Sequence, residues 1–320
     1  MSKNTGAEDF THYSVLLEET VSVLGVKEDG IYADLTLGGG GHSEQIAKRL
    51  TTGRLICVDA DETAIEASKI RLAPYADRVT FVHSFNDRID EILDELGIEK
   101  LDGAVADLGV SSFQLDNAER GFSYMQDAPL DMRMDRSSPL TAYDIVNRRS
   151  EEEIKKILYI YGEESFAPRI AAEICRRRAV SPIKTTFELS DAIKSAMPEK
   201  AKNGGHHPAK RSFQAIRIAV NGELDRLSDM LGKTIDRLAP GGVLAVISFH
   251  SLEDRIVKTV FNDAAKGCVC PPSFPVCVCG RKEKVKVITK KPVLPGEAEL
   301  EENPRSRSAK LRACRRTGAE

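Results

Sequence analysis

Residues 30–50 read GIYADLTLGGGGHSEQIAKRL, and this stretch decides the fold of the chain. Apolar Ile31, Ala33 and Leu35 alternate with polar neighbours, which predicts a short buried strand. Four consecutive glycines at 38–41 then predict a sharp turn, because residues without a Cβ reach backbone conformations that others avoid. From His42 onward the apolar spacing is helical. The stretch therefore predicts strand, glycine turn and helix, a unit that commonly binds a nucleotide-like cofactor.

The spacing of the glycines distinguishes between cofactors. The dinucleotide fingerprint G-x-G-x-x-G fails because neither Ser43 nor Glu44 supplies the third glycine, and no Gly-Lys-Ser/Thr is present for a Walker A loop. The sequence does fit another pattern, in which an acidic residue is followed by three residues and then G-x-G. Here the acidic residue is Asp34 and the glycines are Gly38 and Gly40. This pattern resembles the first motif of S-adenosylmethionine (SAM) methyltransferases. The methionine ammonium of that donor suits carboxylate and carbonyl oxygens.

A second carboxylate follows at the distance expected for a group that binds ribose. Residues 54–58, RLICV, predict a buried strand that ends at Asp59, about 20 residues beyond the glycines. Asp59 can bind ribose hydroxyls or cap the next helix, and the two roles are compatible.

Two more predicted strands bring further side chains to the same edge. Strands at 79–83 and 101–108 lead into Phe85, a candidate adenine-stacking face or core residue, and Asp107. Ligands bind outside the carboxyl ends of parallel strands, so Asp34, Asp59, Phe85 and Asp107 are expected in one crevice. The fold class predicted is α/β, with a Rossmann-like sheet.

The alternation of strands and helices stops between residues 115 and 211. Helical spacing at 151–161, 169–178 and 187–197 predicts an inserted helical domain at 115–211 that recognises the substrate. Residues 1–114 and 212–320 form the predicted core. We expect a lead-in helix at 12–24, one long helix at 212–238, a turn at 240–242, a strand at 243–248, and antiparallel pairing of 285–290 with 308–315.

Composition narrows the cellular context. The chain has 320 residues, 41% of them hydrophobic, and a net charge of −3, which suggests a globular protein. We find neither an apolar run of membrane-spanning length nor a signal peptide, which predicts a cytoplasmic location. Basic clusters at 176–178, 200–211 and 305–316 are candidate nucleic-acid contacts, although charge runs are usually solvated faces.

Four of the seven cysteines are close together, at Cys268, Cys270, Cys277 and Cys279. Their thiolates could hold a tetrahedral metal such as zinc, but C-x-C is tighter than the usual C-x2-C. Reduced cysteines in a proline-stiffened loop are the preferred interpretation, with no metal expected and zinc as the alternative.

Longer motifs resemble one family, the MraW (RsmH) family of bacterial ribosomal RNA small subunit methyltransferases. They lie at residues 12–17, 38–42, 107–112, 119–123, 129–135, 213–221 and 247–255. The resemblance implies SAM-dependent methylation of the exocyclic N4 of a cytidine in the decoding region of 16S rRNA, by a monomer or homodimer. It also implies SAM contacts at Gly40, Gly41, His42, Asp59, Phe85, Asp107 and Gln114.

The residues favour amine methylation over carbon methylation. Methylation at C5 normally uses a cysteine nucleophile, and no cysteine follows the strands ending at Asp107 or Ser248. A hydrogen-bond acceptor facing the amino group would help N4 attack, and the candidates are Asp107, Ser111, Ser112 and His250. A DNA amino-methyltransferase, which usually has an Asn/Asp-Pro-Pro-aromatic tetrad at this strand, and a non-catalytic SAM-responsive ribosome-assembly factor are the rival functions.

Overall fold

A mixed sheet with helices on both faces carries the predicted crevice. The computed structural model describes residues 14–202, 207–271, 274, 276 and 278–318, without the side chains of 201 and 202. The strands of the described residues are β1 (Ile31–Asp34), β2 (Arg54–Asp59), β3 (Val79–His83), β4 (Leu101–Asp107), β5 (Leu238–Ser248), β6 (Val285–Val287) and β7 (Lys310–Arg316). The helices before β4 are α1 (Leu17–Leu24), α2 (Gly41–Ala47), α3 (Glu62–Leu72) and α4 (Ile89–Glu95).

The strands lie in the order β3-β2-β1-β4-β5-β7-β6. The first five are parallel, whereas β7 runs antiparallel to both β5 and β6. The strand order reverses between β1 and β4, and ligands bind outside the carboxyl ends at such a switch point. The Rossmann-like α/β prediction is confirmed, as is the antiparallel pairing near the end of the chain.

Both faces of the sheet are buried, as parallel sheets require. Successive side chains of a strand point to opposite faces, so Ala33 and Ile56 join one core while Tyr32 and Leu55 join the other. The first core is covered by α4 and by helices that follow the insertion, and the second is covered by α1, α2 and α3.

A helical unit with its own apolar core lies between β4 and β5. Its helices are α5 (Ser112–Asp116), α6 (Ala142–Arg148), α7 (Glu151–Gly162), α8 (Ala167–Arg178), α9 (Thr186–Ala196), α10 (Glu199–Lys202) and α11 (Lys210–Asn221). Hydroxyl residues with an acid three positions later form capping boxes that begin α6, α7 and α9. The three helices predicted at 151–197 are confirmed to within a few residues.

The single helix predicted at 212–238 is wrong. The chain forms α11 and then α12 (Glu223–Arg237), separated by Gly222 at φ +62°. The cause is tertiary: Phe213 and Ile216 of α11 are buried in the helical core, whereas Leu227 of α12 is buried against the sheet. The second predicted boundary, 211/212, therefore falls inside α11.

The ends of the sheet differ from expectation in detail. The turn predicted at 240–242 lies within β5, where Gly241 at φ +85° and a shift of pairing between Leu101 and Gly103 absorb the irregularity.

Beyond β5 the helices are α13 (Ser251–Ala265) and α14 (Glu297–Glu302). In the lead-in segment α1 starts at Leu17, and residues 12 and 13 lie outside the described residues. Across the described part of the chain, no helix combines the length and apolarity needed to cross a bilayer.

Candidate active site

A cavity of about 680 Å³ opens at the carboxyl edge of the sheet. The loops after β1, β2, β3 and β4 line one side, and α11, α12, the start of α13 and residues 303–308 line the other. The cavity therefore joins the predicted cofactor residues to the helical unit. Of the predicted residues it is lined by Gly38, Gly41, His42, Asp59, Phe85, Asp107, Ser111, Ser112, Gln114 and His250.

The glycine turn presents its backbone to the cavity and is held from behind by α3. Ser68 Oγ donates to the carbonyl of Gly38 at 2.8 Å, and Arg71 donates to that of Gly39 at 2.7 Å. Gly40, at φ +74°, is not among the lining residues, and a Cβ there would come within 3.0 Å of Ser68 Oγ. Gly40 thus lies against α3, although sequence reasoning grouped it with the cofactor contacts.

Asp59 closes the glycine turn from the neighbouring strand. Its carboxylate accepts the N–H of Gly38 at 2.8 Å and that of Asp61 at 2.8 Å, one on each oxygen. Each oxygen retains a lone pair for a cavity ligand. Burial raises the pKa of Asp59 to about 6.

Asp34 lies behind the turn. Its side chain is 1% exposed, accepts the hydroxyl of Ser43 at 2.7 Å and the N–H of Thr36 at 3.1 Å, and is not among the residues that line the cavity. Burial raises the pKa of Asp34 to about 6. The strand-end acid thus anchors the start of α2 through Ser43 and does not itself line the cavity.

Asp107, at the end of β4, has the least satisfied carboxylate in the site. Oδ1 is buried and makes no hydrogen bond to any described residue, and Oδ2 lies 3.9 Å from Nδ1 of His42. Burial, followed by the charges of Asp34 and Glu253, raises the pKa of Asp107 well above its usual range. A buried acceptor without a partner is costly, so a ligand in the cavity is the natural source of its hydrogen bond.

Phe85 is covered on one face by a residue that the sequence did not bring to attention. The guanidinium carbon of Arg226, on α12, lies 3.7 Å from the ring centre of Phe85. Both residues line the cavity. A flat cation over an aromatic ring fixes the ring orientation, which prepares this wall for a planar ligand.

The turn after β4 is locked by a capping box. Ser111 Oγ accepts the N–H of Gln114 at 3.2 Å, and Gln114 Oε1 accepts the N–H of Ser111 at 3.1 Å. Gln114 Nε2 also donates to Asp61 at 2.8 Å. Ser111 therefore begins α5 while it lines the cavity, and Ser112 is the first residue of that helix.

A buried ion pair that sequence reasoning missed supports this turn. Arg120 Nη1 donates to Asp61 Oδ2 at 2.6 Å, and the two side chains are 3% and 2% exposed. The other amino group of Arg120 binds the carbonyls of Arg133 and Met134. Burial disfavours the charge of Asp61, but bonds from Thr63, Gln114 and Arg120 outweigh it and lower the pKa of this carboxyl. The sequence feature that could have pointed to Arg120 is the motif at 119–123, which contains it.

His250 is engaged by its own helix. Its Nδ1 accepts the N–H of Glu253 at 3.4 Å, and its Nε2 lies 3.1 Å from Glu253 Oε1. The other Glu253 oxygen accepts the N–H groups of Phe249 and His250. Burial opposes the charge of Glu253, yet these contacts and Arg217 keep its pKa below the usual range. His250 is thus oriented mainly as a helix cap at the cavity wall.

The outer part of the cavity is basic and aromatic. Lys210, Arg217, Arg305 and Arg307 line it, and Tyr124 stacks on His207 with ring centres 4.3 Å apart. The predicted basic run 176–178 does not line the cavity; Arg176 and Arg177 pair with Glu173 on α8. Residues 203–206 of the second run lie outside the described residues. The described cysteines of the 268–279 run lie apart from this cavity.

These features are typical of one class of protein: α/β enzymes that bind a cofactor at the carboxyl ends of the strands, next to a basic substrate-binding region. The chain matches the MraW methylase family over residues 9–317 and belongs to that family. A ribosomal RNA small subunit methyltransferase H from Clostridium botulinum is 56% identical over 96% of this chain and 99% of that protein. Proteins of the same name from Brevibacillus brevis and Clostridioides difficile are 55% and 53% identical, over 95% and 96% of this chain and 98% and 99% of theirs.

The protein is therefore a methyltransferase, and SAM is the methyl donor of its family. The cavity fits this donor on three observations: backbone without side chains at Gly38, a carboxylate with spare lone pairs at Asp59, and an oriented aromatic ring at Phe85. Asp107 Oδ1, which makes no hydrogen bond to a described residue, adds a buried acceptor to a residue of the cavity wall.

Proposed function

We propose that this methyltransferase modifies the exocyclic N4 of a cytidine in the decoding region of 16S rRNA, with the small ribosomal subunit as its partner. The names of the relatives support a small-subunit RNA substrate. One structural observation carries the choice of an amine: Asp107 lines the cavity, and its buried Oδ1 has no hydrogen-bond partner among the described residues. The predicted cytoplasmic location follows from the same substrate.

The chemistry that this wall supports is amine alkylation. SAM supplies a methyl carbon bonded to a sulfonium sulfur. Cytosine N4 is a weak nucleophile because its lone pair is delocalised into the ring. A hydrogen bond from the amino group to Asp107 Oδ1 would favour the pyramidal form that attacks. The raised pKa of Asp107, caused first by burial, also suits a group that takes up the proton released after transfer.

Among the predicted candidates, the contacts favour Asp107 over the others. Ser111 already caps α5, and Nδ1 of His250 already accepts the N–H of Glu253 as the cap of α13. Ser112 lines the cavity beside them and is the second candidate to face the base. We therefore assign Asp107 the acceptor role, with Ser111, Ser112 and His250 shaping the turn and the opposite wall.

The helical unit, residues 115–211 with α11, is proposed to recognise the RNA. Lys210 and Gln214 reach the cavity from α11, and Arg307 lines it from the segment 303–308. Cations that line a cleft suit a phosphate backbone, and the aromatic Tyr124 suits an unstacked base. The target cytidine must leave any paired helix to reach Asp107.

The decisive experiment uses labelled SAM. Full-length protein is incubated with small subunits, naked 16S rRNA or DNA, and the labelled nucleoside is identified by mass spectrometry. We expect N4-methylcytidine at one decoding-region position. Label only in DNA would favour the amino-methyltransferase of DNA, and SAM binding without label in any substrate would favour an assembly factor.

A further inference from the structure

The described cysteines of the run after α13 do not line the cavity of the candidate active site. The structure nevertheless gathers three of its sulfur atoms: Sγ of Cys268, Cys270 and Cys279 all lie within 4.8 Å of one another. Cys277, the fourth cysteine, lies outside the described residues. We propose that these three thiolates bind one Zn²⁺ ion in a structural site.

The sulfur geometry matches that ion. Zn–S bonds are about 2.3 Å long, so two sulfurs of a tetrahedral site lie about 3.8 Å apart. The Sγ atoms of Cys279 and Cys268 are 3.7 Å apart. Thiolates are ligands that zinc prefers, and structural zinc sites take four ligands, which leaves one position beyond the three assigned here.

Backbone N–H groups support the charge that such a cluster would carry. The N–H of Cys270 points to Sγ of Cys268 at 3.4 Å, and the N–H of Val278 points to Sγ of Cys270 at 3.4 Å. Donors of this kind orient ligating atoms and stabilise the deprotonated sulfur. The first bond lies within the Cys268–Cys270 arm, and the second joins that arm to the segment that carries Cys279.

The described residues of the loop bury little apolar surface that could order it instead. Val269, Val276 and Val278 are 54%, 70% and 72% exposed. Its base is fixed to the end of α13, where Arg281 binds the carbonyl of Asp263 and the N–H of Lys284 donates to that of Ala264 at 2.9 Å. A short segment that buries so little apolar surface is the kind that metals stabilise.

The test is metal analysis of full-length protein purified under reducing conditions without a metal-affinity tag. We expect about one zinc per chain. Cys268→Ser, Cys270→Ser and Cys279→Ser should each lower zinc content at least tenfold. Cys175→Ser changes a half-buried cysteine of α8 and is the matched control. This variant should retain its zinc.

Two further measurements use the unaltered protein, so the proposal can be tested even if the serine variants do not fold. A mercurial reagent should release zinc and make the loop thiols reactive, and Co²⁺ added to stripped protein should give the thiolate-to-metal charge-transfer band. The proposal is overturned if protein reconstituted with Zn²⁺ retains none, if zinc persists in all three serine variants, or if non-reducing peptide mapping shows a disulfide in the loop of freshly isolated protein. Methyl transfer has no part in these readouts, so the proposal stands or falls apart from the proposed function.

Discussion

The guanidinium of Arg226 lies 3.7 Å from the ring centre of Phe85, so a residue from α12 sets the orientation of an aromatic wall that follows β3. Phe85→Leu should therefore weaken SAM binding about tenfold, because stacking on an aromatic side chain contributes about 1–3 kcal/mol per base. Calorimetric titration measures the change. Phe81→Leu, on β3 but away from the cavity, should bind SAM as the unaltered protein does. Equal losses in both variants would contradict an adenine-facing role for Phe85.

Asp107→Asn tests the acceptor assignment. An amide oxygen can still accept a hydrogen bond but cannot take up a proton, so kcat should fall about 10²–10⁴-fold while SAM affinity changes little. Single-turnover rates and SAM titrations separate the two effects. Asp102→Asn, at the opposite end of β4, is the control and should retain kcat. A large loss of SAM affinity with an unchanged transfer rate would instead assign Asp107 to the donor.

Arg120→Ala should destabilise the protein strongly. It leaves the charge of Asp61 buried without its cation, and breaking a buried pair costs about 3–5 kcal/mol. Arg88→Ala, which removes an exposed pair with Glu91, should leave the stability almost unchanged. Urea unfolding measures both. If the two variants lose similar stability, the Asp61 network does not support the site as argued.

Asp34 should give stability an unusual dependence on pH. Its folded pKa of about 6 lies above that of an unfolded aspartate, so the native state binds the extra proton and stability falls as pH rises from 5 to 7. Asp34→Asn removes this slope, so the stability of the variant relative to the unaltered protein should increase by about 1 kcal/mol across that range. Urea unfolding at three pH values provides the check, and a flat difference would place the Asp34 pKa near its ordinary value.

Arg307 should contribute to RNA affinity through phosphate. Arg307→Ala should weaken binding to small subunits. It should also reduce the slope of log affinity against log salt concentration by about 1, the value expected for the loss of one phosphate contact. Arg176→Ala is the matched control, because Arg176 pairs with Glu173 away from the cavity and its loss should leave the slope unchanged. Filter binding at several salt concentrations distinguishes the two, and a smaller slope in the control alone would move the RNA path to α8.

Local patterns were sufficient for the sheet and for the strand-end positions of Asp59, Phe85 and Asp107, because the carboxyl ends of parallel strands share one edge. The same patterns grouped Asp34 and Gly40 with the ligand contacts; in the structure neither lines the cavity, Asp34 accepts a hydrogen bond from Ser43, and Gly40 lies against Ser68. The pairings of Arg226 with Phe85 and of Arg120 with Asp61 join distant segments. No periodicity encodes such partners.

The break at Gly222 has a mechanical consequence. One residue joins the helix that carries Lys210 and Arg217 to the helix that carries Arg226, and the Arg217–Glu223 pair, at 2.9 Å, spans the joint. The angle at that joint fixes how far Lys210, which is proposed to face the RNA, lies from the aromatic wall. Lengthening the chain there by a single residue would turn the two halves of the cleft out of alignment while leaving each core packed.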